Sequence, residues 1–136
     1  MKVVGLFREL GSGIDASVQS IHRLVGNLPS DSVDVVVSYL KSGVPIFDVM
    51  EGTIDPLDNS VVIEGGPSLV SDGVWVWRND LAYFVEKYRV GLPAEFLEQV
   101  FLYKKVDDSL TDDVIGHWEE ALEAYETAER GDVAGG

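Results

Sequence analysis

The sequence predicts a single α+β domain, and three observations carry that expectation. Apolar residues recur at helical spacing near both ends of the chain, while β-branched and alternating segments occupy the middle. Helical and extended segments are grouped rather than interleaved, which favours segregated layers over a parallel α/β sheet. With 136 residues, 46% of them apolar, the chain can build one core, because a domain of this size buries roughly two-thirds of its unfolded surface. The expected architecture is an antiparallel meander of about four strands, with helices before and after it packed mainly on one face. The domain is expected over residues 1–130, with 131–136 as a flexible C-terminal tail rich in glycine.

The first helix is expected from Ile14 to Leu28. Ile14, Val18, Ile21, Val25 and Leu28 recur at spacings of four and three, Asp15 is placed to cap, and Asn27 and Pro29 end the run. A second helix is expected over Ser32 to Ser42, entered through Pro29-Ser30-Asp31 and closed by Gly43 as a left-handed cap. Strands follow at Val44 to Met50 and Ser60 to Glu64, around a loop from Gly52 to Asn59. Ser68 to Ser71 and Val74 to Trp77 then flank Asp72-Gly73, a dipeptide suited to the positive φ of a tight hairpin. Three helices complete the chain. Asn79 caps one with Leu81, Phe84, Val85 and Tyr88 inward; Pro93 opens another with Phe96, Leu97, Val100 and Phe101 inward. The last starts at Thr111, with Val114, Ile115, Trp118, Leu122 and Tyr125 as its apolar stripe.

Composition narrows the chemistry. The absence of cysteine removes disulfides, thiolate zinc sites and cysteine nucleophiles, and fits a reducing compartment. No apolar run approaches the ~20 residues of a membrane helix, and the opening residues turn charged too early for a signal peptide, so a cytoplasmic location is expected. His22 and His117 have no partner at metal-ligand spacing. Asp55 to Asn59 lacks the alternating ligands and the central glycine of a calcium loop. Gly11-Ser12-Gly13 lacks the ending of a phosphate loop, and Gly65-Gly66-Pro67-Ser68 lacks a nucleophile elbow. No catalytic residue, cofactor or metal is therefore expected.

Charge points to binding. Asp and Glu number 24 against 10 Lys and Arg, a formal charge of −14, which repels nucleic acid and anionic membrane and speeds encounter with a basic protein. The acids concentrate at the C-terminus. Asp112 and Asp113 favour the start of the last helix by the helix dipole, but Glu119, Glu120, Glu123 and Glu126 recur at spacings where like charges repel. They are the expected partner-binding face. Trp75 and Trp77, on one side of a strand, are a second candidate surface, with burial in the core as the simpler reading.

The run from Gly66 to Val85, Gly-Pro-Ser-Leu-Val-Ser-Asp-Gly-Val-Trp-Val-Trp-Arg-Asn-Asp-Leu-Ala-Tyr-Phe-Val, resembles a segment of small bacterial proteins. Some of these are immunity proteins of polymorphic or contact-dependent toxin systems. The similarity continues at Tyr88, Leu92-Pro93 and Phe96, and in Gly5-Leu6-Phe7-Arg8-Glu9-Leu10. It implies a protein that binds a cognate toxin domain, often a basic nuclease, and blocks its active site; it carries over no functional residue. Two other functions remain open from the residues themselves. One is a small enzyme or ligand-binding domain whose site is assembled by the fold, and the other is a homo-oligomeric structural or adaptor protein.

Overall fold

The hairpin that follows Ser71 organises the sheet, with its tight turn at Gly73-Val74, one residue later than expected, because Asp72 pairs with Trp75. In a computed structural model, which describes residues 1–131, β5 (Leu69–Ser71) and β6 (Trp75–Arg78) pair antiparallel with Ser71 opposite Val76. Gly73 takes φ 95°, and one Asp72 carboxylate oxygen accepts the Val74 and Trp75 amides at 2.9 and 2.7 Å. Its other oxygen accepts the Tyr39 hydroxyl at 2.7 Å and the Gln99 side-chain amide. The turn residue is thus also the point that ties the hairpin to two helices.

The four-stranded sheet has the order β1-β6-β5-β2. β2 (Val44–Phe47) runs antiparallel to β5, whereas β1 (Lys2–Val3) runs parallel to β6. The α+β class is as expected, but the sheet is mixed and is not a pure antiparallel meander. A second, two-stranded sheet pairs β3 (Gly52–Ile54) with β4 (Val62–Glu64). β3 falls inside the expected loop, because its strand-forming residues are only Gly52, Thr53 and Ile54 amid turn formers.

The expected first helix does not form. Residues 14–28 hold only one 3-10 turn, Ile21–Arg23. Side chains take the backbone groups a helix would use: Asp15 accepts the Ser17 amide, and Glu9 accepts the Ser20 hydroxyl and the Ile21 amide at 2.6 and 2.8 Å. Ile14, Ile21 and Leu28 are nevertheless buried, so the spacing located core residues without specifying a helix.

The second helix, α1 (Val33–Lys41), matches its expectation. Gly43 is not its left-handed cap: the Ser42 amide closes the end. Instead, a Cβ on Gly43 would collide with Val70 and come within 2.6 Å of Trp77, so glycine there permits close packing of backbone on sheet. α2 (Leu81–Tyr88) starts at Asp80 without a side-chain cap, and Asn79 faces the Gly65 carbonyl instead of capping. α3 (Ala94–Tyr103) follows Pro93 and buries Phe96 and Val100, but Phe101 is exposed, contrary to expectation.

The last helix is broken in two, α4 (Thr111–Gly116) and α5 (Trp118–Glu129), at His117. Gly131 ends it with φ 81°, and the remainder of the expected tail lies outside the described residues.

Helices cover both sheet faces, which corrects the one-face expectation. On the first face Trp75 and Trp77 pack against Phe96 with ring centroids 5.4 and 5.7 Å apart, and Tyr39 joins them. On the second, Val76 and Leu69 pack against Ala121 and Tyr125 of α5. The alternating side chains of β6 therefore feed two cores. No helix among the described residues is long and apolar enough to cross a membrane.

Candidate functional site

The two pieces of the last helix are set by what surrounds their break. A 3-10 turn, Asp108–Leu110, leads into α4, and Asp107 caps it by accepting the Ser109 amide at 2.9 Å. Asp112 and Asp113 occupy the first turn of α4, where the helix dipole favours them. At His117 the backbone leaves helical geometry (φ −107°, ψ 23°), and the imidazole Nδ1 lies 2.7 Å from the Asp113 carbonyl. That carbonyl, with the carboxylates of Asp113 and Glu120, raises the His117 pKa above its ordinary value.

The break divides the expected apolar stripe. Of its residues Val114 and Tyr125 are buried and Leu122 is partly covered, and Ala121, outside the expected stripe, is buried beside them. Ile115 and Trp118 are not: 46% and 40% of their surfaces remain exposed. Both stand among Asp112, Asp113, Glu119, Glu120, Glu123 and Glu126, all of which are exposed. Asp113 lies 3.7 Å from His117, and among the described residues the other five carboxylates have no ion-pair partner. Exposed apolar side chains extend along the preceding chain at Leu102, Tyr103 and Leu110.

The sequence-predicted acids are thus all exposed along α4 and α5, with Glu126 also lining a cavity beside Arg78 and Tyr125. Trp75 and Trp77 are not part of that surface. They are 6% and 1% exposed, held in the first-face core by Tyr39 and Phe96, and leave the candidate site. The apolar component lies instead at Ile115 and Trp118, which sequence periodicity assigned to the core. The one local signal against that assignment was Gly116-His117, a weak helix pair in the middle of the stripe.

Three polar clusters lie inside the protein. Arg78 donates to both carboxylate oxygens of Asp80, at 2.8 and 3.2 Å, and also to Thr53 and to the Tyr125 hydroxyl. Burial raises the Asp80 carboxyl above its usual range, against the pull of Arg78. Asp55 accepts the Tyr83 and Tyr88 hydroxyls, both at 2.7 Å, and the Leu57 amide. Burial alone would raise its pKa; the Tyr88, Leu57 and Tyr83 hydrogen bonds and the Lys87 charge outweigh that and hold it low. The third cluster is Tyr39, Asp72 and Gln99 at the hairpin.

Among the described residues every buried side-chain nitrogen and oxygen has a hydrogen-bond partner. These clusters use their groups to hold elements together: β6 to β3 and α5, the 55–58 turn to α2, and the hairpin to α1 and α3. Sequence reading missed Arg78 and Asp80 in this role, although two opposite charges flanking Asn79 at the end of an apolar strand were the available signal. His22 is exposed, and among the described residues no three His, Cys, Asp or Glu side chains converge as a metal site.

Compared with known proteins, the chain matches no family model, no curated protein and no solved structure.

Proposed function

We propose that this chain is a non-catalytic, cytoplasmic binding protein of the immunity type, which docks the α4–α5 face on a basic toxin domain and blocks it. One observation carries the reading: Ile115 and Trp118 are exposed inside a set of carboxylates with little internal neutralisation. Such a surface has the two components of a fast and tight protein complex. Charge speeds the encounter of oppositely charged partners, while desolvation of an aromatic or aliphatic centre slows their separation. An acidic helix with no other role would gain from placing Lys or Arg between its glutamates, since like charges at these spacings oppose the helix. Trp118 also leaves 40% of its surface in water, apolar area that the monomer does not cover.

Co-expression with any basic toxin domain found encoded beside this gene tests the reading. The wild-type chain is expected to restore growth and to co-purify with the toxin. Reversing charge at Glu119, Glu123 and Glu126 together is expected to slow association by about tenfold or more and to flatten its salt dependence. Growth arrest in the presence of the wild-type chain overturns the immunity reading, and an unchanged association rate in the triple variant overturns the role of the acidic face.

A further inference from the structure

β1 is the outermost strand of the four-stranded sheet. Its register places Val3 opposite Val76, with the Lys2 and Val4 amides donating to the Val74 and Val76 carbonyls at 3.0 and 3.1 Å. In a parallel pair the intervening residue points its backbone groups the other way. The Val3 N–H and C=O therefore face outward, and among the described residues neither has a backbone partner. An edge in this state is a template for another strand.

The edge opens into a groove of about 880 Å³ that follows the chain from Lys2 to Phe7. Leu24, Leu28 and Leu97 line it from the first core, and Ala124 and Ala128 line it from α5. Small alanines on the helix leave the space that larger residues would fill. Charge borders the groove too. Glu120 stands one helical turn before Ala124 on the same stripe of α5, and Glu95 lines the groove itself, paired with Lys2 at 2.6 Å.

We propose that the open edge of β1 receives an extended segment of a partner protein, carrying aliphatic side chains into the groove and basic residues beside it. Main-chain hydrogen bonds to Val3 would supply affinity, and the aliphatic wall would select the side chains on one side of the added strand. A second copy of this chain is a poor occupant, because it would bring its own charge of −14 against the same acids. This deepens the preceding reading, since the segment is assigned to the same basic partner.

Short linear peptides selected by display on the full chain provide the probe. The selected peptides are expected to alternate aliphatic with other residues, to carry Lys or Arg at a flank, and to slow hydrogen exchange at the Val3 amide. Val3→Pro removes an N–H that the β1–β6 ladder does not use, together with part of the Val3 packing on the second core, and is expected to weaken peptide binding about tenfold. Ala128→Trp, which fills the groove from the helix side, is expected to do the same if Val3→Pro perturbs folding. Peptides that bind without protecting Val3, or that bind the groove-filled variant as tightly as wild type, overturn the proposal. Val3 protection that rises with protein concentration in the absence of peptide also overturns it, in favour of self-pairing. Peptide capture at β1, with toxin association indifferent to charge reversal at Glu119, Glu123 and Glu126, keeps the edge and removes the acidic-face reading. Loss of toxin association in the charge-reversed chain, with no peptide captured at β1, does the reverse.

Discussion

The two faces of the four-stranded sheet are packed by different means. The first carries Trp75 and Trp77 against Tyr39 and Phe96, in a core that continues through Phe7, Phe84 and Val100. The second carries Leu69 and Val76 against Ala121 and Tyr125, with only partly buried residues around them. Buried aromatic rings contribute large apolar areas and gain further from edge-to-face contacts; alanine contributes little of either. The difference separates two tasks. Stability resides under α1, α2 and α3, while α5 is held by a thin contact and presents an outer surface free to carry Glu119, Glu123 and Glu126.

The sharpest way to break this comparison is to empty the first face. Trp77→Ala should destabilise the protein by about 4 kcal/mol, read from a denaturant midpoint at unchanged slope. A loss below about 1 kcal/mol would show that the two faces are not unequal in the sense argued. Next comes the buried pair that anchors α5, since Arg78 ends the inner strand β6 and donates to Tyr125 as well as to Asp80. Asp80→Ala leaves the Arg78 charge buried and uncompensated, and should cost about 3 kcal/mol. A double variant that also replaces Arg78 with Met should recover part of that loss, which separates an unpaired charge from simple loss of packing.

Acid should also weaken the cluster at Asp55. The fold holds the Asp55 carboxyl below its ordinary value, so ionised Asp55 is favoured by folding. Its contribution is fully present above the unfolded pKa of about 3.9 and is lost as pH falls through the lower folded value. Denaturant midpoints stepped downward in pH should decline there, and Asp55→Asn should flatten the decline. The smallest effect belongs to the second side. Trp118→Gln should cost about 1 kcal/mol, well below the Trp77 substitution, because 40% of Trp118 remains exposed whereas Trp77 is buried. The same substitution should accelerate dissociation of the proposed toxin complex. A large loss of stability would place Trp118 in the core and remove it from the docking face.

Much of this fold could be read in the sequence where local pattern and tertiary context agree. The α1 segment and the β5–β6 hairpin are such places, since Asp72-Gly73 dictates a turn and Trp-Val-Trp alternation suits a strand with two buried faces. The segment from Ile14 to Leu28 shows the opposite case. Its apolar spacing marked Ile14, Ile21 and Leu28 for burial, yet Glu9 and Asp15 took backbone amides for themselves, and such side-chain competition leaves no periodic trace. β1 escaped because two residues have no period, and its partner lies at Trp75 and Val76. In the candidate site the acids were legible as charge, whereas the exposure of Ile115 and Trp118 depends on the break at His117. Periodicity alone treats α4 and α5 as one continuous helix.

The early chain and the last helix are joined by more than proximity. The Asp15 amide donates to the Glu129 carbonyl at 2.7 Å, and β1 adds to a strand from the middle of the sequence. Contacts this distant along the chain close the largest loops and form after local turns and helices. A nascent chain can build the hairpin and α2 as each emerges, but it cannot fasten residue 15 until residue 129 has been synthesised. In the native state the same bonds should open as a unit, with the early loop and the end of α5 exchanging their amide protons together, ahead of the strands beneath Trp77.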